Sequence, residues 1–246
     1  MTMAHTAGRP GIRPLPKRRK ARLLLWPLLL LVLAIGASSY VGYVLWPRWP
    51  GPPVTLDAPA IPVTVAGVTF NVPPAAIRVA VQRRPGTQER LDLAFLWPSL
   101  TPPDPAIEPP RMSADTPLDE IKAQERIFIS IVGSETTLPP DARRKTIYPR
   151  YLATERPEGP AGLTVMPFRN NTPYQGEDLV VETAAPDNFA LRCTRGASGR
   201  VPGTCIYERR IGTTDVTLRF PREWLSDWRE VAANIERVIA LTHPRF

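Results

Sequence analysis

The apolar positions of the chain include one long, uninterrupted run near the N-terminus. Residues 23–45, LLLWPLLLLVLAIGASSYVGYVL, contain no charged side chain. Because an α-helix rises about 1.5 Å per residue, a run of this length can cross a hydrocarbon core of about 30 Å. Aromatic residues, which favour membrane interfaces, mark the two ends of the run: Trp26 at one end and Tyr40, Tyr43, Trp46 and Trp49 at the other. The pattern predicts a transmembrane helix over residues 23–45.

Farther along the chain, apolar and polar residues alternate in short stretches, as expected for β-strands with one buried face. The stretch RLDLAFLW, residues 90–97, is the clearest example and predicts a half-buried strand. RIFISIVGS, residues 126–134, predicts a central strand, and residues 63–72 predict one strand bent at Gly67. Further short strands are predicted over residues 162–168, 178–183, 189–193, 204–210 and 213–219. The short turns between them favour an antiparallel meander.

The last part of the chain has helical rather than alternating spacing. Apolar residues recur every three to four positions from Pro221 to about Leu241, which predicts an amphipathic helix. We expect this helix to lie across one face of the sheet. Its two tryptophans, Trp224 and Trp228, are then expected to pack in the core.

Two segments of the domain lack a clear period. Residues 75–84 fit either a short helix or a strand. Residues 98–117 contain seven prolines and predict a long loop. A short helix is predicted to begin at Thr116, because Pro117 and the acidic residues after it suit a first helical turn.

Charge is distributed very unevenly along the chain. The formal net charge is +8, but seven basic residues and no acidic residue lie in the first 22 positions. They are Arg9, Arg13, Lys17, Arg18, Arg19, Lys20 and Arg22. The remaining chain, with 24 basic and 23 acidic residues, is close to neutral. A nucleic-acid-binding domain carries its excess charge on the folded part, so this distribution argues against nucleic acid as a partner.

The same asymmetry predicts the orientation of the helix. Cytoplasmic flanks of membrane spans are enriched in Lys and Arg, and only Arg48 follows the run within about 20 positions. We therefore expect a single-pass inner-membrane protein with a cytoplasmic N-terminus and a periplasmic C-terminal part. A cleaved signal peptide is the alternative, because the small residues Ala34, Gly36 and Ala37 resemble a cleavage site. The apolar run continues past them to Trp46, which favours an uncleaved anchor.

Together these patterns predict an α+β fold with one N-terminal transmembrane helix, a proline-rich spacer, and a mainly antiparallel sheet of short strands covered by a C-terminal amphipathic helix. The expected order is a basic cytoplasmic tail over residues 1–22, the transmembrane helix over 23–45, a linker over 46–62 and a periplasmic α+β domain over 63–246. Six prolines in the linker favour an extended, stiff conformation. The preference for arginine over lysine is typical of a GC-rich bacterial genome.

The two cysteines of the chain, Cys193 and Cys205, lie in the stretch LRCTRGASGRVPGTCIYERR. Metal ligands, a redox pair, a nucleophile and a structural bridge are the possible uses. A zinc site requires about four ligands, and the two histidines lie near the ends of the chain. A thioredoxin-like pair has two intervening residues, whereas this pair has 11. Because cysteines in an oxidising compartment usually pair, we predict a disulfide that closes a hairpin.

The same stretch is rich in arginine, with Glu208 as the one acidic residue close in sequence. The arginines are Arg192, Arg195, Arg200, Arg209 and Arg210. Because the planar guanidinium group suits carboxylates and phosphates, they predict a surface that binds an anion or a partner. Lipid headgroups, a cell-wall polymer and an acidic protein all fit this chemistry. The alternative is that these arginines are solvated strand edges that discourage aggregation of the sheet.

The sequence contains no recognisable catalytic, metal-binding or cofactor motif. His243 lies near the C-terminus, and the adjacent acids Glu177–Asp178 and Asp119–Glu120 fit turn or capping positions better than a catalytic pair. We therefore expect a non-enzymatic, membrane-anchored periplasmic binding protein of the bacterial cell envelope, possible forms of which are an immunity protein and an inhibitor. Its expected partner is an envelope protein or the cell wall, with no cofactor. The alternative is a carboxylate-dependent enzyme that acts on the cell wall or on polysaccharide.

Overall fold

The computed structural model describes residues 17–45, 54–105, 126–196 and 203–243. The chain divides into two compact units, Met1–Trp49 and Pro50–Phe246.

The first unit contains one long helix, α1 (Lys17–Leu45). Its stretch Trp26–Val44 has 19 residues with a mean hydropathy of 1.8, and the side chains of this stretch are exposed. By length and composition this stretch fits a membrane anchor, and a signal sequence near the N-terminus has the same properties.

The second unit contains two sheets and two helices in its described part. The strands are β1 (Ile61–Val65), β2 (Val68–Val72), β3 (Gly86–Gln88), β4 (Arg90–Leu96), β5 (Arg126–Gly133), β6 (Leu163–Pro167), β7 (Glu177–Glu182), β8 (Ala190–Thr194), β9 (Thr204–Ile211) and β10 (Thr214–Pro221), and the helices are α2 (Pro140–Thr146) and α3 (Trp228–Thr242). The smaller sheet has the order β2-β1-β3, and the larger has the order β4-β5-β10-β9-β8-β7-β6. All neighbours in the larger sheet are antiparallel, and α3 packs into the core on one face. The predicted α+β class is confirmed.

The single strand predicted over residues 63–72 is a hairpin of β1 and β2. The two strands pair antiparallel, with Val65 opposite Val68. Between them, Ala66 and Gly67 both have positive φ, at 45° and 84°. Positive φ at both central residues is what a tight two-residue hairpin turn of type I′ requires. The alternation of apolar residues is the same for one long strand and for this hairpin, so the pattern alone does not separate them.

The alternation over residues 90–97 predicted a strand that is buried on one face, but β4 is buried on both faces. Asp92 and Ala94, which point away from the apolar side chains of the strand, are only 9% and 1% exposed. The preceding segment, residues 75–84, forms two short 3₁₀ turns rather than a regular helix or strand. From the second of these turns, the amide of Gln82 donates a hydrogen bond to Asp92.

The C-terminal helix begins later than the predicted start at Pro221. Arg222–Asp227 forms a 3₁₀ helix, and the α-helix begins at Trp228. The 3₁₀ and α periods of 3.0 and 3.6 residues place apolar side chains similarly over so short a stretch, which is why the pattern did not separate them. Trp228 is buried, and the ring of Trp224 stacks on Trp97 with 4.5 Å between centroids.

The large sheet has an inner face and an outer face. The inner face packs against α3 and the smaller sheet around a core that includes Leu93 and Leu218. The outer face is covered at its β6–β8 end by a smaller cluster, in which Tyr148 and Phe168 pack with Leu179. Over β9, β10 and β5 most side chains of the outer face are half-buried or exposed, whereas Ser130 and Asp215 are buried, so this part of the face is partly accessible.

Two short elements have no signature in the sequence. Helix α2 follows Pro139 and contains three consecutive basic residues without an apolar period. Strand β3 has only three residues and pairs parallel with β1. The helix predicted at Thr116 lies outside the described residues.

Candidate binding surface

Cys193 and Cys205 form the disulfide that their spacing and compartment predicted. They lie directly opposite each other on β8 and β9, and both are fully buried on the inner face. The bridge therefore ties two neighbouring strands together at the base of the hairpin. Residues 197–202, which include Arg200, lie outside the described part of this hairpin.

Each of the four described arginines of the hairpin contacts a carboxylate of this chain. The pairs are Arg192 with Glu177 (2.9 Å), Arg195 with Asp178 (2.7 Å), Arg209 with Glu236 (2.6 Å) and Arg210 with Asp215 (2.9 Å). Two of these acids lie on β7, one on β10 and one on α3. The positive charge of the hairpin is therefore largely balanced by acids from other elements, and the arginines link those elements together.

Asp178 is held between two arginines. Arg195 and Arg222 each approach one of its oxygens to 2.7 Å, and Asp178 is only 3% exposed. It lies opposite Cys193 in the register of β7 and β8. Glu177, the preceding residue, points to the other face of the strand because side chains alternate. The adjacent acids therefore serve two different ion pairs and do not face a common substrate.

One row of side chains crosses the outer face from strand to strand. Arg192 on β8 lies opposite Ile206 on β9, which lies opposite Arg219 on β10. Arg219 in turn lies opposite Phe128 on β5, and Phe128 lies opposite Ala94 on β4. The row connects the arginine-rich hairpin with the accessible part of the sheet.

A cavity of about 270 Å³ lies at the hairpin end of this row, between α2 and strands β8 and β9. Three arginines of the predicted set line it, namely Arg192, Arg209 and Arg210. Glu208 also lines it and is 3.1 Å from Arg143 of α2. Arg192 of β8 and Arg209 and Arg210 of β9 therefore line one cavity, although the segment between Cys193 and Cys205 separates them in sequence.

Tyr148 borders the same cavity, and its hydroxyl group is buried. The residue is 4% exposed, and its hydroxyl has no hydrogen-bond partner among the described residues. Burial raises the pKa of the Tyr148 phenol, and the nearby positive charge of Arg192 opposes that rise. Arg192 Nε and Glu177 Oε2 are also buried and, although 2.9 Å apart, are not in hydrogen-bonding geometry.

Three arginines that the sequence analysis did not single out surround Phe128 at the other end of the row. Arg219 lies opposite Phe128, and Arg126 lies on the same face of β5 two residues before it. The guanidinium carbon of Arg78 is 4.6 Å from the centre of the Phe128 ring. We call this set the Phe128 patch. Strand alternation placed Arg126 and Phe128 on one face, but the pairing of β5 with β10 was required to add Arg219.

Two carboxylates, Asp92 near this patch and Asp187 at the cavity, each form an ion pair with an arginine. Burial acts to raise the pKa of Asp92, but hydrogen bonds from Arg90, Gln82 and Ser130 outweigh burial and hold the pKa below its ordinary value. A hydrogen bond from Arg144 likewise lowers the pKa of Asp187, which borders the cavity. A general acid of a glycosidase has a raised pKa, so these two groups lack the property that this chemistry requires.

His243 and the remaining metal-binding side chains form no obvious reaction centre. At the end of α3, His243 Nδ1 is 3.1 Å from the carbonyl oxygen of Thr69, and its ring contacts Phe70. Across the described ranges, no group of three or more His, Cys, Asp or Glu residues is placed to hold a metal ion.

Comparisons with known proteins reveal similarity at the level of the fold. No protein-family model matches the chain, and no curated protein matches it significantly. An immunity protein of the Stenotrophomonas maltophilia type IV secretion system is similar in structure, with a TM-score of 0.52 and 16% identity over 76% of this chain and 94% of that chain. The iron-regulated outer membrane lipoprotein FrpD of Neisseria meningitidis has a TM-score of 0.41 and 7% identity, over 77% of this chain and 93% of that chain. At 16% identity the likeness to the immunity protein concerns the fold alone.

Proposed function

We propose that this chain is a membrane-anchored protein of the bacterial cell envelope that binds a protein partner without catalysing a reaction, as an immunity protein does. The observation that carries the proposal is the shared fold with an immunity protein of a type IV secretion system, which extends over 94% of that protein. Because a fold can host unrelated functions, the proposal also depends on the location and the surface of this chain.

The N-terminal features support a periplasmic location for the domain. The apolar stretch Trp26–Val44 is long enough to anchor the chain, and the basic residues before it favour a cytoplasmic N-terminus in the inner membrane. The disulfide between Cys193 and Cys205 agrees with an oxidising compartment.

The outer face of the large sheet is the proposed contact surface. It combines arginines with half-buried apolar side chains, and arginine and aromatic residues are over-represented among the side chains that contribute most to protein interfaces. The predicted binding arginines Arg192 and Arg210 border the cavity at one end of this face. Arg209 also lines the cavity, but its side chain contacts Glu236 of α3 on the inner face. Arg200 stays part of the predicted surface and lies outside the described residues. Arg195 contacts Asp178, which lies opposite Cys193 on the inner face, so Arg195 does not belong to the outer face.

The ion pairing of the carboxylates favours binding over the alternative of a carboxylate-dependent enzyme. A glycosidase places two acids on either side of the bond that is broken, with one of them protonated. Among the described residues, three acids border the cavity, and two of them form ion pairs: Glu208 contacts Arg143 and Asp187 contacts Arg144. The contact with Arg144 lowers the pKa of Asp187, which favours its ionised form.

Photo-crosslinking in intact cells tests the proposal. The full-length protein is produced in its own host with a photoreactive amino acid in place of Thr217, which is half-buried near the centre of the outer face. The matched control carries it in place of Glu230, which is exposed on α3. We expect a discrete protein adduct from position 217 that is absent from position 230, and mass spectrometry should identify an exported protein. The same adducts from both positions, or adducts only with cytosolic proteins, would contradict the proposal.

A further inference from the structure

The Phe128 patch is a compact positive surface built on a ring that is itself half-buried. Arg219 and Arg78 are exposed, and Arg126 is partly buried. The contact of Arg78 with the Phe128 ring is a cation–π contact at 4.6 Å. Such stacking restricts the guanidinium before any ligand arrives, which lowers the entropic cost of using it in binding.

The positive charge of this patch is not balanced within the described part of the chain. Strands of the large sheet point four carboxylates outward, and each contacts an arginine outside the patch. The pairs are Asp92 with Arg90, Asp215 with Arg210, Glu208 with Arg143 and Glu177 with Arg192. No described carboxylate forms an ion pair with Arg78, Arg126 or Arg219, so within the described ranges these three positive charges on one face are not neutralised by a direct contact.

The patch also contains an unsatisfied donor. Arg126 Nε is buried and has no hydrogen-bond partner among the described residues. A buried donor without an acceptor costs free energy, so the guanidinium of Arg126 has hydrogen-bonding capacity that the described residues do not use.

The spacing of the arginines fits an extended acidic segment. Arg219 and Arg126 are diagonal neighbours on adjacent antiparallel strands, a relation that separates side chains by about 7–8 Å. Alternate side chains on one face of an extended chain are separated by about 7 Å, because each residue rises about 3.3 Å. Two carboxylates two positions apart in a partner can therefore contact both arginines together.

We infer that the Phe128 patch binds an extended segment of a partner protein with acidic residues at alternate positions. Arg126 and Arg219 bind the carboxylates, and Arg78 and the Phe128 ring contact the backbone of the segment between them. This inference rests on the proposed function, since it names the chemistry by which the same outer face recognises its protein partner. It adds a site that lies apart from the arginine-rich hairpin.

A peptide titration tests the inference with the full-length protein in nanodiscs of zwitterionic lipid. The probe is a peptide with glutamate at alternate positions, Glu-Thr-Glu-Thr-Glu, and its control replaces each glutamate by glutamine. The patch variant is Arg78→Gln/Arg219→Gln. The matched control, Arg229→Gln/Arg237→Gln, removes the same charge from exposed positions on α3. Both variants keep the basic N-terminal tail, so binding to that tail cancels in the comparison.

We expect the glutamate peptide to bind the unmodified protein more tightly than the glutamine peptide, and added salt to weaken that binding. The patch variant should bind the glutamate peptide about tenfold more weakly or worse, and the α3 variant less than about twofold more weakly. Each variant loses a cation–π contact, Arg78 with Phe128 or Arg229 with Trp228, so thermal melts should show similar, small destabilisation of the two variants and confirm that both are folded.

Equal weakening by the two variants, or equal binding of the two peptides, would overturn the inference. Vesicles containing phosphatidylglycerol provide a second arm of the experiment. Vesicle binding that depends on the patch, without peptide binding, would assign the patch to lipid and would also overturn the inference.

Different results would reject the inference and the proposed function. A discrete adduct from position 217 with peptide binding that does not depend on the patch would reject only this inference. Patch-dependent peptide binding without such an adduct would reject only the proposed function.

Discussion

Tyr148 shows how one polar atom can be buried without contributing to stability. Its ring packs edge-on against Phe168 and Tyr174, at 5.6 Å and 5.1 Å between centroids, while its hydroxyl has no hydrogen-bond partner in the described ranges. The packing stabilises the outer cluster, and the desolvated hydroxyl opposes it. The two contributions can be separated by substitution.

We expect Tyr148→Phe to leave the free energy of unfolding unchanged or to raise it by up to about 1 kcal/mol, because only the unpaired hydroxyl is removed. Tyr148→Ala should lower it by about 3 kcal/mol, because the ring contacts are lost. Urea denaturation of the two variants measures both effects. A loss of more than about 1 kcal/mol in Tyr148→Phe would show that the hydroxyl has a stabilising partner.

Asp178 is expected to contribute more to stability than any exposed ion pair. Asp178→Asn leaves Arg195 and Arg222 without their shared carboxylate, and breaking a buried ion pair typically costs about 3 kcal/mol or more. Glu230→Gln, an exposed change on α3, is the control and should alter stability by less than about 0.5 kcal/mol. Equal effects of the two changes in urea denaturation would contradict the role given to Asp178.

Asp92 makes stability depend on pH in the acidic range. Its pKa in the folded protein is lowered, because hydrogen bonds from Arg90, Gln82 and Ser130 outweigh its burial, so the folded protein releases this proton more readily than the unfolded chain. The resulting stability is present above about pH 4, the ordinary pKa of aspartate, and is lost as the pH falls through the lowered folded pKa. We expect the stability difference between the unmodified protein and Asp92→Asn to shrink as the pH falls below 4. A difference independent of pH in urea titrations from pH 6 downward would contradict this.

At the scale of elements, the bridge between β8 and β9 constrains the unfolded chain. Cys193 and Cys205 are separated by 12 positions, and closing a loop of this size contributes about 3 kcal/mol in the chain-entropy model. Cys193→Ala/Cys205→Ala should therefore lower the free energy of unfolding by about this amount. Dithiothreitol should have the same effect on the unmodified protein and none on the variant. If reduction leaves the unmodified protein's denaturation curve unchanged, the bridge has no such role.

The strands of the large sheet are the elements that the sequence predicts best. Their apolar residues alternate and are bounded by turn residues, so the stretches that form β5 to β10 are apparent without a structure. The β1–β2 hairpin and the 3₁₀ segment Arg222–Asp227 are less apparent. In both cases the apolar pattern persists through a change of backbone conformation. Short α2, which is rich in charge, has no periodic signal at all.

Most of the ionic contacts of the hairpin arginines depend on tertiary structure and could not be predicted from local sequence. Asp215 lies five positions after Arg210, directly opposite it on the next strand, so this pair is local. The sheet and α3 bring the distant acids Asp178 and Glu236 to Arg195 and Arg209. The arginines of the hairpin are close together in sequence, whereas those of the Phe128 patch are far apart. Arg126 and Arg219 meet only when β5 pairs with β10. A count of charge along the chain therefore identifies a basic stretch. Where positive charge remains after ion pairs have formed depends on the pairing between strands.

At the scale of the whole molecule, the proposed function combines an N-terminal membrane anchor with a C-terminal binding domain. The N-terminal helix was predictable because a long uncharged run is rare in a globular domain. The identity of the partner depends on surface chemistry that the fold arranges, which explains why composition could indicate a binding function but not a partner.

The location of the domain is the central claim, and one measurement tests it directly. Alkaline phosphatase, which folds only in an oxidising compartment, is fused after Phe246 of the full-length protein. Its activity is then measured in carbonate-washed membranes, with a fusion that lacks residues 23–45 as the control. We predict activity in the washed membranes for the full-length fusion and none for the control. An inactive full-length fusion, or activity released into the wash, would contradict an anchored domain outside the cytoplasm.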